Sequence, residues 1–432
     1  MKGRRSECAF RGQATLPQSS PLTAPAHPDS SSKPWDAIII GAGAAGLFCA
    51  GVAGQRGLRV LVLDHARIIG EKIRISGGGH CNFTNLHSAP GNFLSLNAHF
   101  VKGPLARYTP ADFVSLVKRH RIAFHEKHRG QLFCDGTAHA IIELLQYECA
   151  QGGVTLRHPV TVNAIRREGN LWLVQGPDGS ERSQALVLAT GGLPVPALGA
   201  TDYALSLARQ FSIPVVPPRP ALVPLALTAQ ALAPFGELSG LSVPVILSAG
   251  VSRQRYGHAR FEEDLLVTHK GLSGPAMLQA SSYWQEGESL ELAWLSETRW
   301  EALANDESQR LKHAEGLLAR ALPQRLAAVL CQMAGIAGKR WAEVGKKDRA
   351  RLTELLTRWS VKPAGTLGWK KAEVMLGGVD TRALDSRSLM AREHPGLHFI
   401  GECVDVTGHL GGHNFQWAWA SGFACAQALK SG

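Results

Sequence analysis

Cysteine pairing is the first thing this chain lacks. Its eight cysteines stand at 8, 49, 81, 134, 149, 331, 403 and 425, and no two are spaced C-x-x-C. Zinc-ribbon, thioredoxin-like and disulfide-framework readings therefore lose their usual support, and a reducing cytoplasm is the expected compartment. No G-x-S-x-G and no P-loop occurs, so hydrolase and NTPase chemistry have no anchor. The early basic residues are not followed by an apolar run of about 7–15 residues, so they do not read as a secretory signal. Ala37–Gln55 is apolar and free of charge over nearly the ~20 residues a membrane span needs. Glycines at 41, 43, 46, 51 and 54 argue against a span there, and no membrane association is expected. There is no internal repeat.

What is present is a globular composition with 45% hydrophobic and 19% charged residues, in 432 residues with 46 glycines and a net charge of +11. The basic balance points to an anionic partner without naming it. The glycine excess asks which loops need left-handed backbone or close approach to a ligand. Residues 1–34, rich in Ser, Pro, Ala and Gln, are expected to be a disordered extension.

The clearest signal begins at Asp36. The spacing predicts a buried strand over Asp36–Ile40, a helix over Leu47–Gly57, and a second strand over Leu58–Leu63 ending at Asp64. Gly41, Gly43 and Gly46 form G-x-G-x-x-G between the first strand and the helix, which makes a dinucleotide-binding βαβ unit. Gly41 allows the tight turn, Gly43 lets backbone approach a pyrophosphate, and Gly46 lets helix pack on strand. The helix N-terminus offers free N–H groups to phosphate, and Asp64 can accept from ribose hydroxyls. Three further glycine clusters follow: Ser76–Asn85, a polar loop with Lys72 and Arg74 placed to add charge beside a diphosphate; Ala189–Gly192, closing the strand Ala185–Leu188; and Gly401–Gln416, leading into a helix over Trp417–Leu429.

These strings resemble the HI0933-like (YhiN-like) family of bacterial flavoproteins, NAD(P)/FAD-dependent oxidoreductases. The matching segments are GAGAAG at 41–46, SGGGHCNFTN at 76–85, ATGG at 189–192, LLVTHKGLSGPAML at 265–278, AEVMLGGVD at 372–380 and GECVDVTGHLGGHNFQWAWASG at 401–422. The resemblance implies FAD extended across the first domain. It implies Gly41, Gly43, Ala44, Ala45 and Gly46 at the pyrophosphate, Asp64 at the adenosine ribose, and Ser76, Gly77, Gly78, Cys81 and Asn82 on the flavin side. Thr190 and Gly191 would sit beside the diphosphate. Gly401, Glu402, Asp405, Gly411, Gly412, Asn414 and Gln416 would close over the ribityl chain and the pyrimidine end of the ring, where a helix N-terminus suits the charge of reduced flavin. The chain departs from the family pattern at His80, where Arg is usual, and at His413, where Tyr is usual; both bear on the electron acceptor.

The expected architecture is α/β: a Rossmann-like FAD-binding domain over 35–215 and 371–432, split by an inserted β-barrel over 216–298 and 359–370 that itself carries a helical cap over 299–358. Pro214, Pro217, Pro218, Pro220 and Pro224 mark the boundary. Cys81, His269 and His413 are the candidate catalytic groups, each with a packing or hydrogen-bonding role as the plainer reading. His409 and His413 have the spacing of a helical metal pair, but Leu-Gly-Gly between them opposes a helix, so no metal is expected. With no second G-x-G-x-x-G after a strand, a dedicated NAD(P)H domain is not expected, and either NAD(P)H visits the flavin briefly or another donor reduces it.

The expected reaction is hydride transfer through flavin N5 to or from an unsaturated small molecule. Two alternatives stand beside it. One is reduction of a pyrimidine in structured RNA, bound through segment 339–371. That segment carries ten basic residues against Glu343, Asp348 and Glu354, interleaved with Trp341, Trp359 and Trp369 that could stack on bases. The other is a non-enzymatic FAD-binding redox sensor.

Overall fold

A computed structural model describes residues 33–250 and 256–432. The expected extension over 1–34, apart from Lys33 and Pro34, lies outside the described residues. Ile38, Ile39 and Ile40 favour extended backbone and form β1 (Trp35–Ile40). The chain turns through Gly41–Gly43 into α1 (Ala44–Gln55) and returns as β2 (Val60–Leu63), parallel to β1 with Ile39 opposite Val62. The charge-free stretch 37–55 is thus a strand, a turn and a helix. No helix among the described residues is long and apolar enough to cross a membrane. The helix begins at Ala44, three residues before the periodicity predicts, because its small first-turn residues carry no apolar period.

β1 is flanked on its other side by β3 (Gly179–Leu188), and β3 by β4 (Leu397–Phe399), with Ile39 opposite Val187 and Leu188 opposite Phe399. Strand Thr155–Arg157 lies outside β2. These five strands are all parallel, while the hairpin Ala164–Glu168/Leu171–Gly176 extends the first half of β3 antiparallel. Their buried residues form one core with α1 and with α2 (His413–Ala428). The two helices touch at backbone: a Cβ on Gly422 would lie 2.9 Å from the Ala45 carbonyl oxygen.

The proline-rich boundary is itself a strand. Val215–Ala221 pairs antiparallel with Val374–Val379 and carries an irregularity between Val216 and Arg219. Pro217 and Pro218 fall there and Pro220 near the strand's end, where a missing N–H costs little. This ribbon leads into a second core built on a sheet in the order Trp359–Val361, Leu290–Ala293, Ser242–Ala249, Ala259–Thr268, Gly271–Ser273, Leu225–Ala226, Gly365–Thr366.

The expected β-barrel is corrected by this order. The sheet is open, and no ladder among the described residues joins its edges Trp359–Val361 and Gly365–Thr366. The two edges are consecutive in the chain, short, and separated by Lys362-Pro363-Ala364, and Pro363 has no N–H with which to continue a ladder. The helices Glu297–Ala304, Ala314–Leu318, Gln324–Met333 and Lys346–Thr357 share the sheet's core: Trp300, Leu317, Leu330 and Leu356 cluster with Val245, Leu247, Leu265 and Leu292.

Candidate functional site

A cavity of about 960 Å³ lies where β1, β2, β3 and β4 end, and Ile40, Asp64, Ala189 and Gly401 all line it. Ligands of open α/β sheets bind in this crevice at the carboxyl ends of the strands. The volume is at the upper end of the ~300–1,000 Å³ of small-molecule sites, which suits a long ligand.

The first glycine cluster divides its labour. Gly41 has φ +109°, and a Cβ there would lie 2.4 Å from the Ala189 carbonyl oxygen. Gly46 is off the cavity: its Cβ would come within 1.9 Å of the Gly41 carbonyl oxygen. Gly43 alone faces open space, with nothing within 4 Å of an added Cβ, and it lines the cavity. No side chain caps α1 and no carboxylate stands in its first turn, so its positive end is left to a ligand. Asp64 accepts from Ala42 N–H at 2.5 Å and from Ala66 N–H at 2.7 Å, so it pins the glycine turn as well as facing the cavity.

The second cluster is ordered rather than loose. Glu71–Ile75 is a short helix and Ser76–Gly79 a turn through left-handed Gly77 and Gly78, with Ser76, Gly77, Gly78 and Asn82 on the cavity wall. With its amide turned to satisfy its neighbours, Asn82 accepts from Gly412 N–H at 3.1 Å and donates to the Thr84 and Leu132 carbonyls. Thr190 and Gly191 line the cavity, and the buried Thr190 hydroxyl has no partner among the described residues. Lys72, also on the wall, is ion-paired with Glu402, whose other oxygen accepts from Met375 N–H at 3.0 Å. Gly411, Gly412 and Asn414 bring the uncapped N-terminus of α2 to the opposite end. That helix starts four residues before the expected Trp417 because Gly412, with φ +94°, makes the turn into it.

Several residues singled out by motif do not reach the cavity. Cys81 is fully buried behind the wall in a left-handed conformation (φ 47°), and burial pushes its thiol up to about 12. A buried neutral thiol is a poor nucleophile. Asp405 is fully buried and accepts from Leu96 N–H at 2.9 Å. Gln416 is also inside, donating to the Tyr108 carbonyl and accepting from the Thr84 hydroxyl. His413 is buried against Ser88 Oγ at 2.7 Å, and burial pushes it down to about 3. His409 meets the Tyr283 hydroxyl at 2.8 Å and is pushed down to about 4 by burial. Among the described residues no cluster of three metal-ligating side chains exists. His269 is exposed in the turn between strands Ala259–Thr268 and Gly271–Ser273, away from the cavity.

The cavity also takes Gln131, Phe133, Tyr203, Leu222, Lys371 and Glu373. Of these, Lys371 carried a signal in the sequence as part of the basic segment, and Glu373 as part of the string at 372–380. The tryptophans of that segment do not face solvent as stacking platforms. Trp341 is buried with its N–H on the Ala304 carbonyl, Trp359 stacks on Trp294, and Trp369 packs against the first core.

The family described as HI0933-like protein Rossmann domain matches residues 35–428. A protein of Escherichia coli K12 named ribosomal RNA dihydrouridine synthase is 46% identical over 91% of this chain and 98% of its own length. A protein of the same name from Haemophilus influenzae is 43% identical over the same shares. The 3-dehydro-bile acid delta(4,6)-reductase of Clostridium scindens is 25% identical over 90% of this chain and 98% of its own.

Proposed function

Because the chain belongs to the HI0933-like Rossmann family, we propose that it is an FAD-dependent oxidoreductase that reduces the C5=C6 bond of a uridine in ribosomal RNA, with NAD(P)H as donor. The observation that carries this reading is the near full-length similarity to two proteins named for that reaction. The cavity suits the cofactor on its own terms. Two uncapped helix N-termini, an open Gly43 and an orphaned Thr190 hydroxyl surround a space of the right size.

In this reading Gly43 and the α1 N-terminus hold the pyrophosphate, Asp64 faces the ribose, Thr190 donates to the diphosphate region, and Gly411, Gly412 and Asn414 hold the pyrimidine end. The division into a dinucleotide domain (35–215 and 371–432) and an insertion belongs to the same proposal. FAD, when bound, supplies hydride from N5; the pyrimidine gains hydride at one ring carbon and a proton at the other. The chain's part is to fix both rings face to face and to exclude water. Cys81 and His413 take no part, being buried behind the wall.

A second reading, reduction of a small unsaturated metabolite, is favoured by the similarity to the bile-acid reductase. The two separate cleanly. Ribosomal RNA from cells without the gene loses a dihydropyrimidine under the first reading and keeps it under the second. Stopped-flow reduction by NADH and NADPH tests the donor, and slow bleaching with both sinks the reductase reading in favour of a redox sensor.

A further inference from the structure

We infer that the RNA docks on the mouth of the cavity through Lys370, Lys371 and Lys127, not on the basic helix Lys346–Thr357; this rests on the RNA reading above. Four of the ten basic residues in 339–371 already have partners within the protein. Lys339 pairs with Asp348 at 3.1 Å, and Arg358 faces Glu297 at 3.9 Å. Arg349 donates to the Val344 and Trp341 carbonyls at 2.9 Å and lies over the Trp341 ring, while Arg351 donates to the Ala334 carbonyl. Trp341 is buried, and the half-buried Trp359 is stacked on Trp294.

Lys370 and Lys371 differ from the equally exposed Lys346 and Lys347 in place. Both are exposed, neither has a side-chain partner among the described residues, and both line the cavity beside Leu222 and Glu373. Their position is anchored, since Val195 N–H donates to the Trp369 carbonyl at 2.9 Å and Lys371 N–H to the Gly368 carbonyl at 3.0 Å. On the wall from the first core, the ammonium of Lys127 lies 5.2 Å from the centre of the Phe133 ring, and that ring lines the same cavity. A uridine cannot meet a flavin while stacked in a helix. It must turn out of the stack, which leaves its flanking phosphates at the cavity mouth. Lys370 and Lys371 on the lining, with Lys127 beside the lining Phe133 ring, are cations where those phosphates would arrive, and phosphate contacts position the strand while the cavity reads the base.

The experiment uses flavin-loaded full-length protein and a ribosomal RNA fragment at about 50 and 200 mM salt. We expect K370E/K371E to weaken binding more than about tenfold at the lower salt and to flatten the log–log salt dependence by roughly 1–2. K127E should give a smaller loss, and K346E/K347E, with the same charge change elsewhere, should stay within about twofold. The reverse ranking, or equal losses in both double variants, overturns the inference. So does loss of flavin by K370E/K371E, which would assign these lysines to the cofactor. If the wild-type protein binds no RNA at either salt, the RNA reading itself has failed, and that result is distinct from any ranking of variants.

Discussion

The cavity is walled in two ways. On the side of the first core, the strands lead into Gly41, Gly191 and Gly401, and peptide backbone and two helix ends face the space alongside side chains such as Asp64, Lys72 and Phe133. On the side of the ribbon that joins the cores, residues 370–374 present lysine, glutamate and valine side chains. Backbone donors suit a ligand that is always the same, because any side chain there would obstruct. Side chains suit the partner whose identity has to be selected. Under the proposed function, the cofactor lies against the first wall and the substrate is recognised by the second.

The largest effect expected lies in the first wall. Gly46→Val would drive a Cβ to 1.9 Å from a backbone oxygen that α1 and β1 hold in place. A loss of more than about 4 kcal/mol in a denaturant titration is expected. At Gly43, three residues earlier, an added Cβ has no protein atom within 4 Å, so Gly43→Val points into the cavity. It should keep its unfolding midpoint and lose the flavin absorbance, so the pair separates packing glycines from ligand glycines.

Stability should also fall on mild acidification. His398, His409 and His413 are pushed down to about 4, 4 and 3 by burial. Their folded values lie below an unfolded value of about 6.5, so the unfolded chain takes up protons first. The stability they contribute is full above about pH 6.5 and is lost as pH falls toward 4, by up to about 1.4 kcal/mol per pH unit for each histidine. Urea midpoints at about pH 7.5 and 5.5 measure it, and equal midpoints would contradict the burial of these rings.

Thr190→Val keeps the shape and removes an unpartnered hydroxyl. Weakened flavin affinity by roughly 5–30-fold, about 1–2 kcal/mol, is expected without loss of fold, and unchanged affinity would remove Thr190 from the site. The smallest effect belongs to Cys81→Ser. Turnover within about twofold of wild type is expected for a residue behind the wall, and a loss of more than tenfold would return Cys81 to the chemistry.

The βαβ start of the first core was legible because its signals are local. Consecutive β-branched residues, three glycines at fixed offsets and a charge-free helix occupy 30 contiguous residues. The end of α2 was legible too, but not its beginning, because glycine at 412 reads as a breaker until its left-handed turn is seen to lead into the helix. The sheet of the second core looked closed from its short alternating runs. Closure depends on whether residues 359–361 and 365–366 meet across the sheet, and no local pattern records that. Prolines at 217, 218 and 220 read as a boundary, yet the chain there forms a ribbon that tolerates them. Cys81, Asp405 and Gln416 stand inside motifs that also hold ligand-facing residues, and spacing alone does not tell the front of a wall from its back.

The sequence by itself determined the family, the nucleotide-binding turn and the net positive charge. All three are properties of residues close together in the chain or of their sum. Only the tertiary structure decided that Lys370 and Lys371 stand free at the cavity while Arg349 and Arg351 are tied inward, and that Gln131, Phe133 and Glu373 share one wall. Which side chains meet there depends on how segments more than 200 residues apart pack, and short-range periodicity carries no information about that.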